Sequence, residues 1–297
     1  MLNRLSQAWR AAPGLQPSLG MIGAVLVVTG AALPFAAVAQ TAAQVAQERR
    51  EFGSWIRTAP VSPLRAVVVR GIETGLTVGP ASADIPLAGV GAGRISERDG
   101  RVTLVLGDRS LSLVRDRPAV VGAWRMVVNG PPGRSVVTVY AAAPAKDQQP
   151  LYYPYDPTVV FAVALTPARE ARNQRLLAPD GVEVEATDAG TIDVSLGGVA
   201  ATLRVMRLPG ATEDESELEI YFRDATSDHG SYPAGRFVSL IPKSGGGYSL
   251  DFNRARNPFC AYNTVYPCPA PWRGNLLTQP VKAGERYAGG GLDKPPS

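Results

Sequence analysis

Three patterns of apolar residues divide the chain. From Met21 to Val38 almost every position is apolar, and the segment before it, Met1 to Ser18, carries Arg4 and Arg10 and no acid. From Thr41 to Arg57, the residues Val45, Phe52, Trp55 and Ile56 fall roughly on one helical face. Thr41 and Gln44 have the spacing of a capping box, so a short helix is expected there. Beyond it, short apolar runs alternate with turn dipeptides, which is the pattern of antiparallel hairpins.

The runs Leu64 to Val69, Arg101 to Leu106, Ser110 to Val114 and Trp124 to Val128 are expected strands. Asp99-Gly100, Gly107-Asp108 and Asn129-Gly130 flank them and supply the positive φ angles that tight hairpins demand. Ala141 to Pro157 is rich in turn formers and reads as a long loop or linker. Strand-like runs resume at Val159 to Leu165, Val182 to Ala186, Thr191 to Leu196 and Val199 to Arg207, the last two joined by Gly197-Gly198. Leu218 to Phe222, Arg236 to Leu240 and Tyr248 to Phe252 follow, whereas Ala168 to Leu177 reads as one or two helical turns. The expected fold class is all-β, with antiparallel sandwich or barrel-like halves and a short N-terminal helix. The expected domains are a signal peptide over 1–39, an N-terminal β domain over 40–145, a C-terminal β domain over 146–288 and a disordered tail over 289–297.

The N-terminal pattern is that of a secretory signal: a basic start, an apolar stretch, and Ala37-Val38-Ala39 ahead of Gln40 as the cleavage site. The alternative is a retained anchor, because the apolar run approaches the length that spans a bilayer. Cleavage leaves 258 of the 297 residues, with 28 basic against 26 acidic side chains, a net charge of +2. No cluster of Lys and Arg accompanies it, which argues against a nucleic-acid partner. No later stretch is apolar enough to span a membrane, so the processed chain is expected to be periplasmic or secreted, with no membrane partner. Cys260 and Cys268 would then meet an oxidising compartment and form a disulfide. A metal site would need more ligands than these two and the one histidine, His229, supply. With no dinucleotide fingerprint or phosphate loop, no cofactor is implied.

Polar residues concentrate between Tyr221 and Pro269, at the ends of expected strands, where a rigid sheet commonly presents binding groups. Arg223, Thr226, Tyr232, Arg236, Asp251, Asn253, Arg254 and Asn257 are the candidate ligand-binding residues, since guanidinium forks match carboxylate or phosphate geometry. Asp224 and Asp251 each end a strand-like run and are the candidate acid and base of a hydrolase, with His229 a third catalytic candidate. Against catalysis, the same carboxylates could simply pair with Arg223, Arg236 and Arg254. Tyr152, Tyr153, Tyr155, Tyr262, Tyr266 and Trp272 could form a sugar-stacking surface.

The stretches Phe222 to Ser227, Tyr232 to Phe237, Asp251 to Tyr262, Cys268-Pro269 and Ala283-Gly284-Glu285 read FRDATS, YPAGRF, DFNRARNPFCAY, CP and AGE. In this order they resemble the motifs of the bacterial domain-of-unknown-function 1684 family, a likeness that covers Leu218 to Tyr287 and implies kinship but no reaction. Upstream the likeness fades. Leu76 to Leu87 is similar to the start of a forkhead-associated β-sandwich. Pro80 stands where that family carries a phosphothreonine-binding Arg, so the resemblance implies the sandwich shape without phosphopeptide binding. The function expected from the residues is an envelope binding module for a small polar or anionic ligand. The alternatives are a carboxylate hydrolase and a structural or interaction protein of the envelope.

Overall fold

The computed structural model describes residues 33–209, 216–270, 272 and 274–287. Most of the expected signal segment and the expected tail lie outside the described residues. Helix α1 (Leu33–Thr58) begins ahead of Thr41, so the proposed capping box stands inside a longer helix. Among the described residues no helix is long and apolar enough to cross a membrane.

The first half holds β1 (Ala66–Gly71), β2 (Leu76–Gly79), β3 (Ile85–Pro86), β4 (Gly93–Arg98) and β5 (Arg101–Leu106). It continues with β6 (Arg109–Leu113), β7 (Ala119–Val121), β8 (Trp124–Asn129) and β9 (Val136–Tyr140). Asp99 and Gly100 take φ of 50° and 74° and close the β4–β5 hairpin as the sequence leads one to expect. Two sheets result, ordered β1-β9-β8-β7 and β3-β2-β4-β5-β6. Their apolar faces meet in one core that includes Ile95, Val102, Leu104, Met126, Val128, Val137 and Val139. Because side chains alternate along a strand, Val127 and Tyr140 point the other way. They join Ile56 of α1 and Phe259, Tyr262 and Tyr266 of the second half in another cluster. The sheet of β1 and β7–β9 is thus covered on both faces.

The second half comprises β10 (Leu151–Tyr152), β11 (Val160–Val163), β12 (Thr166–Pro167), β13 (Asn173–Leu177) and β14 (Glu183–Leu196). β15 (Val199–Leu208), β16 (Glu217–Phe222), β17 (Arg236–Pro242), β18 (Tyr248–Asp251) and β19 (Glu285–Arg286) complete it. A curled sheet runs β11-β18-β17-β16-β15-β14-β12, with β13 also on β14. Leu218, Ile220 and Phe222 face its concave core, while Tyr221 stacks on Phe237 at 4.0 Å on the opposite face. The expected linker contributes β10, which pairs with β19 and so clasps the end of the described chain.

Two expectations change. Ala168 to Leu177 is not helical: Asn173–Leu177 is strand β13, laid along β14 from Thr187 to Glu183. The free edge of a long strand satisfies its backbone groups better than an isolated helical turn would. The expected strands Val182 to Ala186 and Thr191 to Leu196 fuse into β14, with a bulge between Asp188 and Gly190. With strands forming 44% of the chain and one N-terminal helix, the fold is all-β as expected.

Candidate functional site

Residues from Glu219 to Glu285 build three polar networks, and the first of them centres on Arg236. Its Nη2 donates to Asp224 Oδ2 at 2.7 Å and to the Val281 carbonyl at 2.8 Å. Its Nη1 donates to the carbonyls of Ala283 and Glu285, at 2.5 and 3.1 Å. Asp224 Oδ1 accepts from the backbone and hydroxyl of Thr226 at 2.7 and 2.6 Å and from the Val281 amide at 3.2 Å. Both side chains are 1% exposed. Gly235 makes this possible: at φ 108° a Cβ there would sit 2.5 Å from the Phe222 carbonyl oxygen. The pair therefore ties residues 281–285 to β16 and β17, with both Arg236 Nη groups and both Asp224 oxygens engaged internally and Arg236 Nε buried without a partner.

The second network joins β18 to the N-terminal helix. Asp251 Oδ1 accepts from the Asn253 backbone and side-chain nitrogens at 2.9 and 2.8 Å, capping a short 3-10 turn, Phe252–Arg254. Its Oδ2 accepts from Arg254 Nη1 at 2.7 Å. Arg254 then reaches Glu48 of α1 through Nε and Nη2 at 2.7 and 3.0 Å, a two-pronged contact. Asn253 holds both backbone groups of Asp156 at 2.8 Å. Arg49 donates to the carbonyls of Tyr153 and Asn253 at 2.9 and 3.0 Å and lies over the Tyr152 ring. Asp224 and Asp251 thus serve separate networks and share no hydrogen-bond partner among the described residues.

Sequence reasoning passed over the third set, two buried glutamates. Glu219 of β16 accepts from Arg256 at 2.8 Å and from Ser239, leaving Oε2 buried without a partner. Burial raises its carboxyl above the ordinary range against the pull of Arg256, and burial likewise pushes neighbouring Glu217 to about 7. Glu285 of β19 accepts from the Tyr262 hydroxyl and the Asn257 amide, and burial outweighs both to raise it to about 7. The signal for Glu285 was its place in the Ala283-Gly284-Glu285 motif. Gly284, at φ 74°, leaves room for the Ala255 and Phe252 carbonyls, 2.5 and 2.7 Å from where a Cβ would stand.

At Asn257 and Tyr262, the partners of Glu285, lies a cleft of about 410 Å³ between the linker and the second half. Lys146, Asp147, Gln148, Asn257, Tyr262 and Arg286 are among its walls. Lys146 and Arg286 are exposed cations, and Asn257 Oδ1 is buried without a hydrogen-bond partner. A larger cleft of about 690 Å³ includes Glu170, Arg172, Asp188 and Arg204. There Arg204 pairs with Asp188 at 2.6 Å and Arg172 with Glu170 at 2.8 Å, and Arg169 is a further cation in the lining.

The remaining candidates are scattered. Arg223 is exposed and contributes its backbone to a pairing with Asn275 and Leu277. His229 is exposed, and its Nδ1 lies 3.3 Å from the Ser227 carbonyl. Its serine neighbours are engaged elsewhere: Ser227 Oγ accepts from the Asp224 amide, and Ser231 Oγ lies 2.7 Å from the oxygen of Thr226, whose one hydroxyl proton goes to Asp224. No nucleophile and base are brought together there. Cys260 and Cys268 are free thiols in the structure, and each sulfur lies 3.3 Å from the Tyr232 hydroxyl. Of the aromatic set, Tyr262, Tyr266 and Trp272 are buried and pack on other side chains, so they offer no sugar platform. Among the described residues, no three of His, Cys, Asp and Glu are grouped to hold a metal.

The motifs match a known family. Residues 149–286 fit the pattern of the DUF1684 family, described as proteins of unknown function. The chain is also similar to an uncharacterised protein of Haloarcula marismortui whose solution NMR structure is known. The two are 32% identical over 47% of this chain and 76% of that one, with a TM-score of 0.39. A search of curated proteins finds no match. Through residues 149–286, then, the chain belongs to the DUF1684 family of proteins of unknown function.

Proposed function

We propose that the protein is an exported envelope binding module for a small polar or anionic ligand, and that the ligand sits in the cleft walled by Lys146, Asn257 and Arg286. The observation that carries this reading is the buried Asn257 amide oxygen that lacks a partner, in a cleft where two exposed cations, Lys146 and Arg286, outnumber one exposed acid, Asp147. An unpaired buried acceptor costs free energy that a ligand donor recovers, and the cations favour a carboxylate or phosphate group. Of the candidate binding residues, Asn257 alone lines this cleft; Arg236, Asp251, Asn253 and Arg254 are committed to internal bonds. Export to the periplasm or beyond rests on the N-terminal pattern, with a two-domain division near residue 145 and an extracytoplasmic Cys260–Cys268 disulfide as its companions.

A second reading, a structural or interaction protein of the envelope, is favoured by the internal engagement of both oxygens of Asp224 and Asp251 and of both Nη groups of Arg236. The carboxylate-hydrolase reading is the weakest, because neither aspartate has an unengaged oxygen at a shared site. Thermal-shift measurements against sugars, nucleotides, phosphates and small carboxylates separate the first two, since a ligand of the native state raises the melting temperature. The binding reading expects a concentration-dependent rise lost in Arg286→Ala and Lys146→Ala. A flat response across the panel would transfer the assignment to the structural reading.

A further inference from the structure

Neither cysteine lines the proposed cleft, and the two differ sharply in setting. Cys260 is buried within a short 3-10 turn, Phe259–Ala261, whereas Cys268 is exposed. The loop between them is pinned. The Phe259 amide donates to the Pro179 carbonyl at 2.8 Å, and the Asn263 side chain donates to the Pro63 and Ala66 carbonyls at 2.9 and 2.7 Å. The buried Tyr232 places one hydroxyl 3.3 Å from both sulfurs. A structural bridge calls only for proximity. Here one cysteine is exposed, the other is buried, and one hydroxyl lies within 3.3 Å of both sulfurs.

We propose that Cys268 and Cys260 form a redox-active dithiol, in which exposed Cys268 is oxidised by a hydroperoxide and buried Cys260 resolves the product to a disulfide. In the first step the Cys268 thiolate attacks one peroxide oxygen. An S–O bond forms, the O–O bond breaks, and the leaving hydroxide (an alkoxide, for an organic peroxide) takes a proton from solvent. Sulfur loses two electrons and the peroxide gains them. In the second, the Cys260 sulfur attacks the Cys268 sulfenic acid. The S–S bond forms, the S–O bond breaks, and water leaves with the Cys260 proton.

The local chemistry favours this division of roles. The hydrogen bond from the Cys260 thiol stabilises the Cys268 thiolate and holds its pKa down to about 6, with burial opposing and Tyr232 assisting. That same bond, together with burial, raises the Cys260 thiol well above its usual value. Tyr221 and Tyr287 are the other titratable groups that sense the pair, and burial keeps both phenols neutral at physiological pH. Tyr232 is a positioning residue.

The test uses full-length protein, reduced and then treated with hydrogen peroxide in the presence of dimedone, with adducts mapped by mass spectrometry. Wild type is expected to lose both thiols to an intramolecular disulfide. Cys260→Ser should accumulate the adduct at Cys268, and Cys268→Ser should form neither product. At pH 7 the oxidation should outpace free cysteine about tenfold, the scale set by thiolate fraction. Iodoacetamide alkylation of the unsubstituted protein provides a readout independent of folding in the variants. Its rate at Cys268 should show a midpoint near 6 instead of 9, and Tyr232→Phe should move that midpoint upward. Both thiols surviving peroxide at the pace of free cysteine, an adduct at Cys260, or an ordinary alkylation midpoint would each overturn the proposal.

Discussion

The two halves of this molecule are held together by different means. In the first, the sandwich core is aliphatic apart from the methionine Met126, and the buried polar residues near it, Ser135 and Thr138, are neutral. Its carboxylate Glu97 sits at the edge, bonded to Arg115 at 2.6 Å and to the Gly133 amide at 2.8 Å. In the second, five charged residues are buried outright: Glu219, Asp224, Arg236, Asp251 and Glu285. Buried ions stabilise little in net terms because desolvation offsets their attraction, yet removing one partner is costly. The lesson is that the family motifs mark geometry: they tie residues 281–285 to β16 and β17, and the linker and helix α1 to the turn after β18.

The largest effect is expected from Arg236→Met. It strands a buried Asp224 carboxylate and releases the carbonyls of Val281, Ala283 and Glu285. A loss of about 4 kcal/mol in urea unfolding is expected, in the range for breaking a buried pair. Adding Asp224→Asn should recover part of it, since the stranded charge is then gone. A cost near that of a surface substitution would mean the second half rests on apolar packing like the first.

Leu104→Ala is the matching test in the sandwich, where Leu104 is fully buried among Ile95, Val102 and Val139. About 3 kcal/mol should be lost, from transfer and cavity together, and no second substitution of a polar neighbour should restore it. Coupling to polar residues in this half would erase the contrast.

These two regions were also unequally legible in the sequence. Hairpins at Asp99-Gly100 and Gly197-Gly198 could be read because positive φ has a local signature, and both turns adopt it. Strand β13 could not, because its pairing to β14 is set by an edge that the local pattern of Asn173–Leu177 does not reveal. Polar density did mark Asp224, Arg236, Asp251 and Asn253 as neighbours of importance. Whether such residues point at solvent or at one another depends on the path of residues 281–285 and of α1, which no local spacing encodes. Glu48 and Arg49, more than 200 positions from Arg254 and Asn253, show this most plainly.

The halves should answer pH in opposite directions. Glu285 titrates near 7 when folded against 4.5 ordinarily, so between those values the native state holds a proton that the unfolded chain has released. Its contribution is full below about pH 4.5 and is lost as pH rises toward 7. A decline of roughly 2 kcal/mol is expected, flattened in Glu285→Gln but not abolished, because Glu217 acts the same way. Glu97 differs. Burial pushes its carboxyl up, but the bonds from Gly133, Ser135 and Arg115 prevail and hold it below the ordinary value. Its contribution is therefore present above the ordinary carboxylate range and lost as pH falls through its lowered folded value. Glu97→Gln should weaken the protein at pH 7 and leave it unchanged in strong acid. Parallel responses of the two variants would break the contrast.

The smallest effect concerns where α1 belongs. Its apolar residue Ile56 packs in a cluster that also holds Leu64, Val127 and Tyr262, so both halves touch it, but its ionic contact at Glu48 is with the second half alone. Glu48→Ala removes two hydrogen bonds from Arg254, which keeps Asp251 at 2.7 Å and so is not left unpaired. About 1 kcal/mol should be lost, as for a partly exposed pair with good geometry. Amide hydrogen exchange reads where the loss falls. Faster exchange confined to α1 and the Phe252–Arg254 turn would make the helix an accessory docked by charge. Faster exchange through β8 and β9 as well would make α1 part of the sandwich's own cover, and the division between an apolar half and an ionic half would then run through the helix itself.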